Sequence, residues 1–248
     1  MIKYEISSNT AVITLNRPDK RNALNPELVN ELKQTITNSE SNDEIKSIII
    51  TGEGSAFCAG ADLEYLNQIK DFSSLENEKD SKNLAELFEK IYFCSKPTIA
   101  AVNGPAIAGG CGLATACDFV FADNEKAKFG YSEVKIGFVP AIVSVLLLKR
   151  TSSSKAFQLL LSGDIIDSNA AKEFGIVDFI CENSLSEAKN YADRLNSNSQ
   201  ESIKFIKSMK RYFEFSSVDN AIKYLLELNA ISRSTDDFKN GLLKFLSK

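Results

Sequence analysis

Apolar residues in the first half of the chain cluster in short unbroken runs: 11–15 (AVITL), 47–51 (SIIIT), 98–102 (TIAAV) and 119–122 (FVFA). Continuous apolar runs of this length suit strands buried on both faces, as in a covered parallel sheet. Residues 1–6 alternate instead, as a half-exposed strand does. Between the runs, 26–38 and 81–92 carry apolar positions at helical spacing, the first opening on Pro26, a residue suited to a helix's first turn. Strand and helix in alternation predict an α/β fold with a parallel sheet. From about residue 153 strand signals fade, and helices are expected over 153–162, 167–174, 185–195, 200–213 and 217–232. The polar stretch 70–81 has no glycine or proline and reads as a flexible insert. The division expected is a core over 1–190 and a helical region over 191–248, working as one unit.

Two glycine-rich segments, 57–63 (FCAGADL) and 103–112 (NGPAIAGGCG), each break off a strand-like run. Backbone without side chains can approach a ligand closely and offer its N–H groups. Two such donors aimed at one carbonyl oxygen form an oxyanion hole, which often supplies the largest electrostatic contribution in acyl chemistry. Gly109-Gly110 also stands where a helix should begin, so the positive end of that helix would face the same oxygen.

Composition narrows the chemistry. The 248 residues are 44% hydrophobic and 25% charged, with a formal net charge of −4, which gives no electrostatic footprint for nucleic acid or an anionic membrane. No run reaches the roughly 18 apolar residues of a membrane span, and the N-terminus lacks a signal peptide's pattern. The five cysteines show no CxxC pairing, so a disulfide framework is not expected and a reducing cytoplasm is the default. The chain has no histidine, which removes Ser-His and Cys-His nucleophiles and the commonest zinc ligand. Acid–base work falls to carboxylate, lysine, tyrosine or cysteine.

The segments AFCAGADL (56–63), AAVNGPAIAGGCGLATACD (100–118) and AKFGYSEVKIGFVP (127–140), with NRPDKRNALN at 16–25, LLLSGDIIDSNAAKEFGIVD at 159–178 and TDDFKNGLLKFL at 235–246, resemble the enoyl-CoA hydratase/isomerase family, the crotonases. The resemblance implies a spiral of strand-strand-helix units with a helical C-terminal trimerisation region, assembled as trimers or hexamers. It implies an acyl-CoA thioester as substrate, with no separate cofactor and no metal. The backbone N–H groups of Ala61 and Gly109 become the oxyanion donors, and Glu133 the acid–base group. Lys20, Arg21, Ala23, Ala59, Asp62 and Leu63 are placed against coenzyme A, with Phe245 and Lys248 covering it from the C-terminal tail. Tyr131 is assigned to the acyl pocket, a core position being equally open to it. The insert at 70–81 becomes a mobile, helix-containing lid.

One position departs from the family pattern. Hydratases of the common type carry a second glutamate three residues after the oxyanion glycine, and this chain has Gly112 there. Two readings follow. One is a hydratase of branched or carboxylated substrates, similar to the methylglutaconyl-CoA and carboxygeranoyl-CoA hydratases; the other is a Δ3,Δ2-enoyl-CoA isomerase. A reading of another class, an RNA-binding or non-catalytic member, rests on the basic and aromatic residues of 204–213. There, helical spacing makes Lys204, Lys207 and Arg211 a solvated face, with Phe205 and Met209 turned inward. Cys58, Cys111 and Cys117 lie in or beside the glycine motifs and read as small apolar core residues. Asp62 and Asp118 read as caps.

Overall fold

A computed structural model describes residues 1–215, the last five in backbone only, and residues 226, 229–231, 233, 235–238 and 240. The helix expected over 217–232 falls mostly outside the described residues, as do Phe245 and Lys248.

The chain opens with an antiparallel pair, β1 (Ile2–Ser7) and β2 (Thr10–Leu15), followed by α1 (Pro26–Ser41) and β3 (Ser47–Gly52). Then come α2 (Leu63–Gln68), α3 (Ser74–Tyr92), β4 (Thr98–Val102), β5 (Ala106–Ile107) and α4 (Gly109–Ala116). The middle of the chain adds β6 (Phe119–Asp123), β7 (Lys128–Gly130), a 3-10 turn over Glu133–Ile136, α5 (Ala141–Arg150) and α6 (Ser153–Ser162). It closes with β8 (Ile165–Asp167), α7 (Ser168–Glu173), β9 (Phe179–Cys181), α8 (Ser184–Asn196) and α9 (Gln200–Phe215).

The main sheet has six strands in the order β1-β2-β3-β4-β6-β9, parallel from β2 onward. A second sheet of three short strands, β5-β7-β8, stands beside it. Strand, short strand and helix therefore recur along a spiral, as the apolar runs and the resemblance predict. The apolar runs are continuous because both faces are covered. Val12, Ile49, Ile99 and Ala101 pack on Ala188 and Ala192 of α8, while Ile13, Ile48, Ile50 and Ala100 face the main core with α1, α3 and α4.

Three expectations need correction. The segment 70–81 is mostly helical: α3 begins at Ser74 under a capping box, in which Ser73 and Glu76 satisfy each other's backbone N–H. Two short strands, β8 and β9, lie in the region expected to be helical, where pairing with β7 and β6 outweighs weak local patterning. Lys207 is not solvated: it and Lys210 both pair with Asp118, which is largely buried and needs a counter-charge. Lys204 is exposed and Met209 half-buried, as the spacing predicts.

Candidate active site

The two glycine segments meet. Cys58 N–H and Phe57 N–H donate to Pro105 O, each at 3.1 Å, and Ile107 N–H returns a bond to Cys58 O at 3.0 Å. Gly60 lies where the segments crowd each other, with φ +90°; a Cβ there would stand 2.8 Å from Ile107 O and 2.9 Å from Ala108 Cβ. Only glycine supplies both that φ and that space. Ala108 follows at φ 52°, in a region an alanine rarely occupies, and starts α4 at Gly109. Strain of this kind persists where the surroundings fix it, and it clusters at functional sites.

The turn at 59–62 is pinned from the other side. Leu24 N–H donates to Gly60 O at 2.7 Å, and Asp62 N–H to Leu24 O at 2.9 Å. The Arg17 guanidinium binds Asp62 Oδ2 at 2.7 Å and also Ala23 O. Asn22, fully buried, accepts from Arg17 N–H at 2.8 Å and donates to Ala56 O at 2.8 Å. Asp62 also caps α2 by accepting from the N–H groups of Glu64 and Tyr65. Burial works against the Asp62 charge, but Arg17 and the two helix N–H groups outweigh it and hold the carboxyl below its usual value. Every hydrogen bond of the turn therefore leaves Ala61 N–H aside. Neither Ala61 N–H nor Gly109 N–H donates to any group among the described residues.

Both residues line one cavity of about 690 Å³ with Glu133. Glu133 opens the 3-10 turn that follows β7, is 8% exposed, and has one carboxylate oxygen, Oε2, that is buried without a partner. Burial therefore raises its carboxyl above the usual value, its own N–H lowering it slightly in opposition. No other carboxylate among the described residues has a buried oxygen left unpaired.

Of the remaining positions read from the sequence, Lys20, Arg21, Ala23, Ala59, Asp62 and Leu63 all border the cavity. Lys20 pairs with Glu64. Tyr131 is corrected: it is fully buried outside the cavity wall, with its hydroxyl 3.5 Å from Thr115 Oγ1 in the core. Desolvation pushes the thiols of Cys58, Cys111 and Cys117 up to about 12, which removes them as nucleophiles. Arg17 and Asn22 were missed as site-building residues, although both belong to the segment 16–25. Tyr65 and Asp80, also on the cavity wall, carried no motif.

Gly112 sits one turn into α4, and the space beside it is filled. A Cβ there would fall 2.3 Å from Val143 Cγ1 and 3.3 Å from Phe88 Cζ. The place that a second carboxylate would need is occupied by α5.

Two free backbone donors, one unpaired buried carboxylate and a shared cavity form an arrangement that can steady negative charge on a carbonyl oxygen and move a proton nearby. Comparison with known proteins agrees. The family described as enoyl-CoA hydratase/isomerase matches residues 5–248, and the chain belongs to that family. It is 33% identical over 251 residues to a crotonyl-CoA hydratase of Syntrophomonas wolfei, covering all of this chain and 95% of the other. It is 32% identical to a short-chain-enoyl-CoA hydratase of Clostridium acetobutylicum, covering 98% and 94%. A crystal structure of an enoyl-CoA hydratase from Polaromonas sp. JS666 superposes with a TM-score of 0.94 at 29% identity, covering 99% and 96%.

Proposed function

We propose that this enzyme hydrates a short, uncharged 2-enoyl-CoA thioester, with Ala61 and Gly109 N–H holding the thioester oxygen and Glu133 handling the proton. The carrying observation is the unpaired Glu133 Oε2 in the same cavity as the two free N–H groups. Glu133, ionised, takes a proton from water as the water oxygen bonds to C3. The double-bond electrons move onto the thioester oxygen, where the two N–H groups bind the enolate. C2 then takes the proton from Glu133 and the thioester re-forms, so that one molecule of water is added. With Gly112 in place of a second acid, one carboxylate performs both proton steps.

The uncharged acyl group is favoured over the carboxylated one by the cavity wall. Its only cations among the described residues are Lys20 and Arg21, the candidates for coenzyme A phosphates, against carboxylates that include Asp80 and Glu133. A remote substrate carboxylate would therefore lack a counter-charge. The isomerase reading retains one specific support: a solitary carboxylate can remove a proton at one carbon and return it at another. Incubation with crotonyl-CoA, 3-methylglutaconyl-CoA and a 3-enoyl-CoA separates these when read by mass, which reports added water, and by NMR, which reports a moved double bond. Crotonyl-CoA should gain one water; an isomerised 3-enoyl-CoA with no hydrated product from any thioester would overturn the proposal.

The same reading includes assembly into trimers. Ile136 and Val139, on the cavity wall, are 66% and 71% exposed, and exposed apolar residues close to a site suit a subunit contact. Light scattering of the purified chain tests it, with a monomeric mass as the opposing result.

A further inference from the structure

Helix α3 carries Asp80, Leu84 and Phe88 at intervals of four residues, so all three share one face. Phe88 lies at the inner end of that face, against Val143 and the backbone of Gly112. Asp80 stands eight residues outward, about 12 Å along the helix axis. There its Oδ1 accepts a 2.5 Å hydrogen bond from the hydroxyl of Tyr65, on α2. Tyr65 and Asp80 are both half-buried and both border the cavity, with Leu66 and Leu84 beside them. This is the one side-chain hydrogen bond joining α2 to α3 among the described residues, and the chain between, 70–79, is exposed throughout.

We propose that the Tyr65–Asp80 hydrogen bond is a latch between α2 and α3 that sets the acyl-length limit of the enzyme. The inference rests on the acyl-thioester reading of the cavity. A short acyl group ends inside the latch, between the reacting centre and Leu84. A longer alkyl chain has to part the two helices and break the bond to leave between them. Leu66 and Leu84 make that exit apolar, and the Asp80 carboxylate repels a chain that ends in a carboxylate. Burial and the neighbouring Asp80 push the Tyr65 hydroxyl up to about 12, so it stays a donor throughout the physiological range.

Two variants test the latch. Tyr65→Phe keeps the ring and removes the donor, and Asp80→Asn keeps an acceptor for the phenol. Saturated butanoyl-CoA and dodecanoyl-CoA bind without turnover, so calorimetric titration reads selectivity apart from chemistry. In Tyr65→Phe the affinity for dodecanoyl-CoA relative to butanoyl-CoA should rise about tenfold, the equivalent of one hydrogen bond no longer broken. Asp80→Asn should keep the parent ratio. An unchanged ratio in Tyr65→Phe, or equal weakening of both ligands, would overturn the latch and reduce the bond to a structural one. If the parent binds neither thioester, the acyl-thioester reading itself fails and the latch fails with it. A parent that binds the thioesters but does not hydrate crotonyl-CoA counts against the hydratase reading alone, and the ratio still decides the latch.

Discussion

On the cavity wall that carries Ala61, the buried polar side chains have partners: Arg17 with Asp62, and Asn22 with the backbone at 17 and 56. On the wall that carries Glu133, a buried carboxylate oxygen has none. The satisfied network makes its wall rigid and leaves one N–H unpaired, so that a donor is in place before substrate arrives. The unsatisfied wall holds a group whose ionised form is disfavoured until a proton donor comes within reach. In the proposed reaction position comes from the first wall and reactivity from the second, and separate substitutions are expected to disturb each without the other.

The largest effect is expected from breaking the first wall. Asp62→Ala leaves the half-buried Arg17 guanidinium with only Ala23 O and uncaps α2, a loss on the order of 3 kcal/mol of stability that a denaturant titration would read. Stability within about 1 kcal/mol of the parent would mean that the pair does not hold the turn. Next comes Gly109→Val. A Cβ at Gly109 meets Leu24 Cδ1 at 3.3 Å and Gly60 Cα at 3.9 Å, contacts that a small shift of Leu24 relieves, so the fold should survive, while the branched side chain crowds the thioester oxygen. Losing one such donor costs about 3 kcal/mol in the barrier. Normal turnover in a variant with parent-like circular dichroism would remove Gly109 from the donor pair.

Gly112→Glu sharpens the comparison at a smaller magnitude. Because Val143 fills the space, the single variant should lose roughly 1–3 kcal/mol to overpacking, and Gly112→Glu with Val143→Gly should recover part of it. A single variant as stable as the parent would show that α5 gives way there. The smallest effect is on stability through Glu133 itself. Its folded-state pKa is raised, so between the ordinary and the raised value the folded protein binds more protons than the unfolded chain, and stability falls as pH rises through that window. Glu133→Gln should therefore raise the melting temperature by a few degrees at neutral pH and leave it unchanged at a pH below the ordinary carboxylate value. A lower melting temperature at neutral pH would contradict the buried, unpaired state of the carboxylate.

Much of this arrangement is legible in the sequence because it is written in local signals. Strands buried on both faces give unbroken apolar runs, and the glycine turns and Glu133 stand in motifs with fixed spacing. What the sequence hid is long-range. Tyr65 and Asp80 meet because α3, starting at Ser74, returns Asp80 to the side chain of Tyr65 on α2. Lys207 turns inward because Asp118, 89 residues earlier, lies under it. Val143 closes the space at Gly112 from a helix whose apolar residues reach both core and surface, so that periodicity does not mark its buried face. β8 and β9, of three residues each, form through their pairing partners and leave almost no pattern of their own.

The most direct test of the account is the turnover of crotonyl-CoA by Glu133→Gln, followed by mass and by pH. The amide keeps the shape of the carboxylate but cannot take a proton from water. Turnover should fall about a hundredfold to ten-thousandfold with thioester affinity nearly unchanged. In the parent, kcat/KM should rise with pH as Glu133 ionises, through a value above the ordinary carboxylate range, and that rise should vanish in the residual activity of the variant. Parent-like turnover by a folded Glu133→Gln protein that still binds the thioester would contradict it.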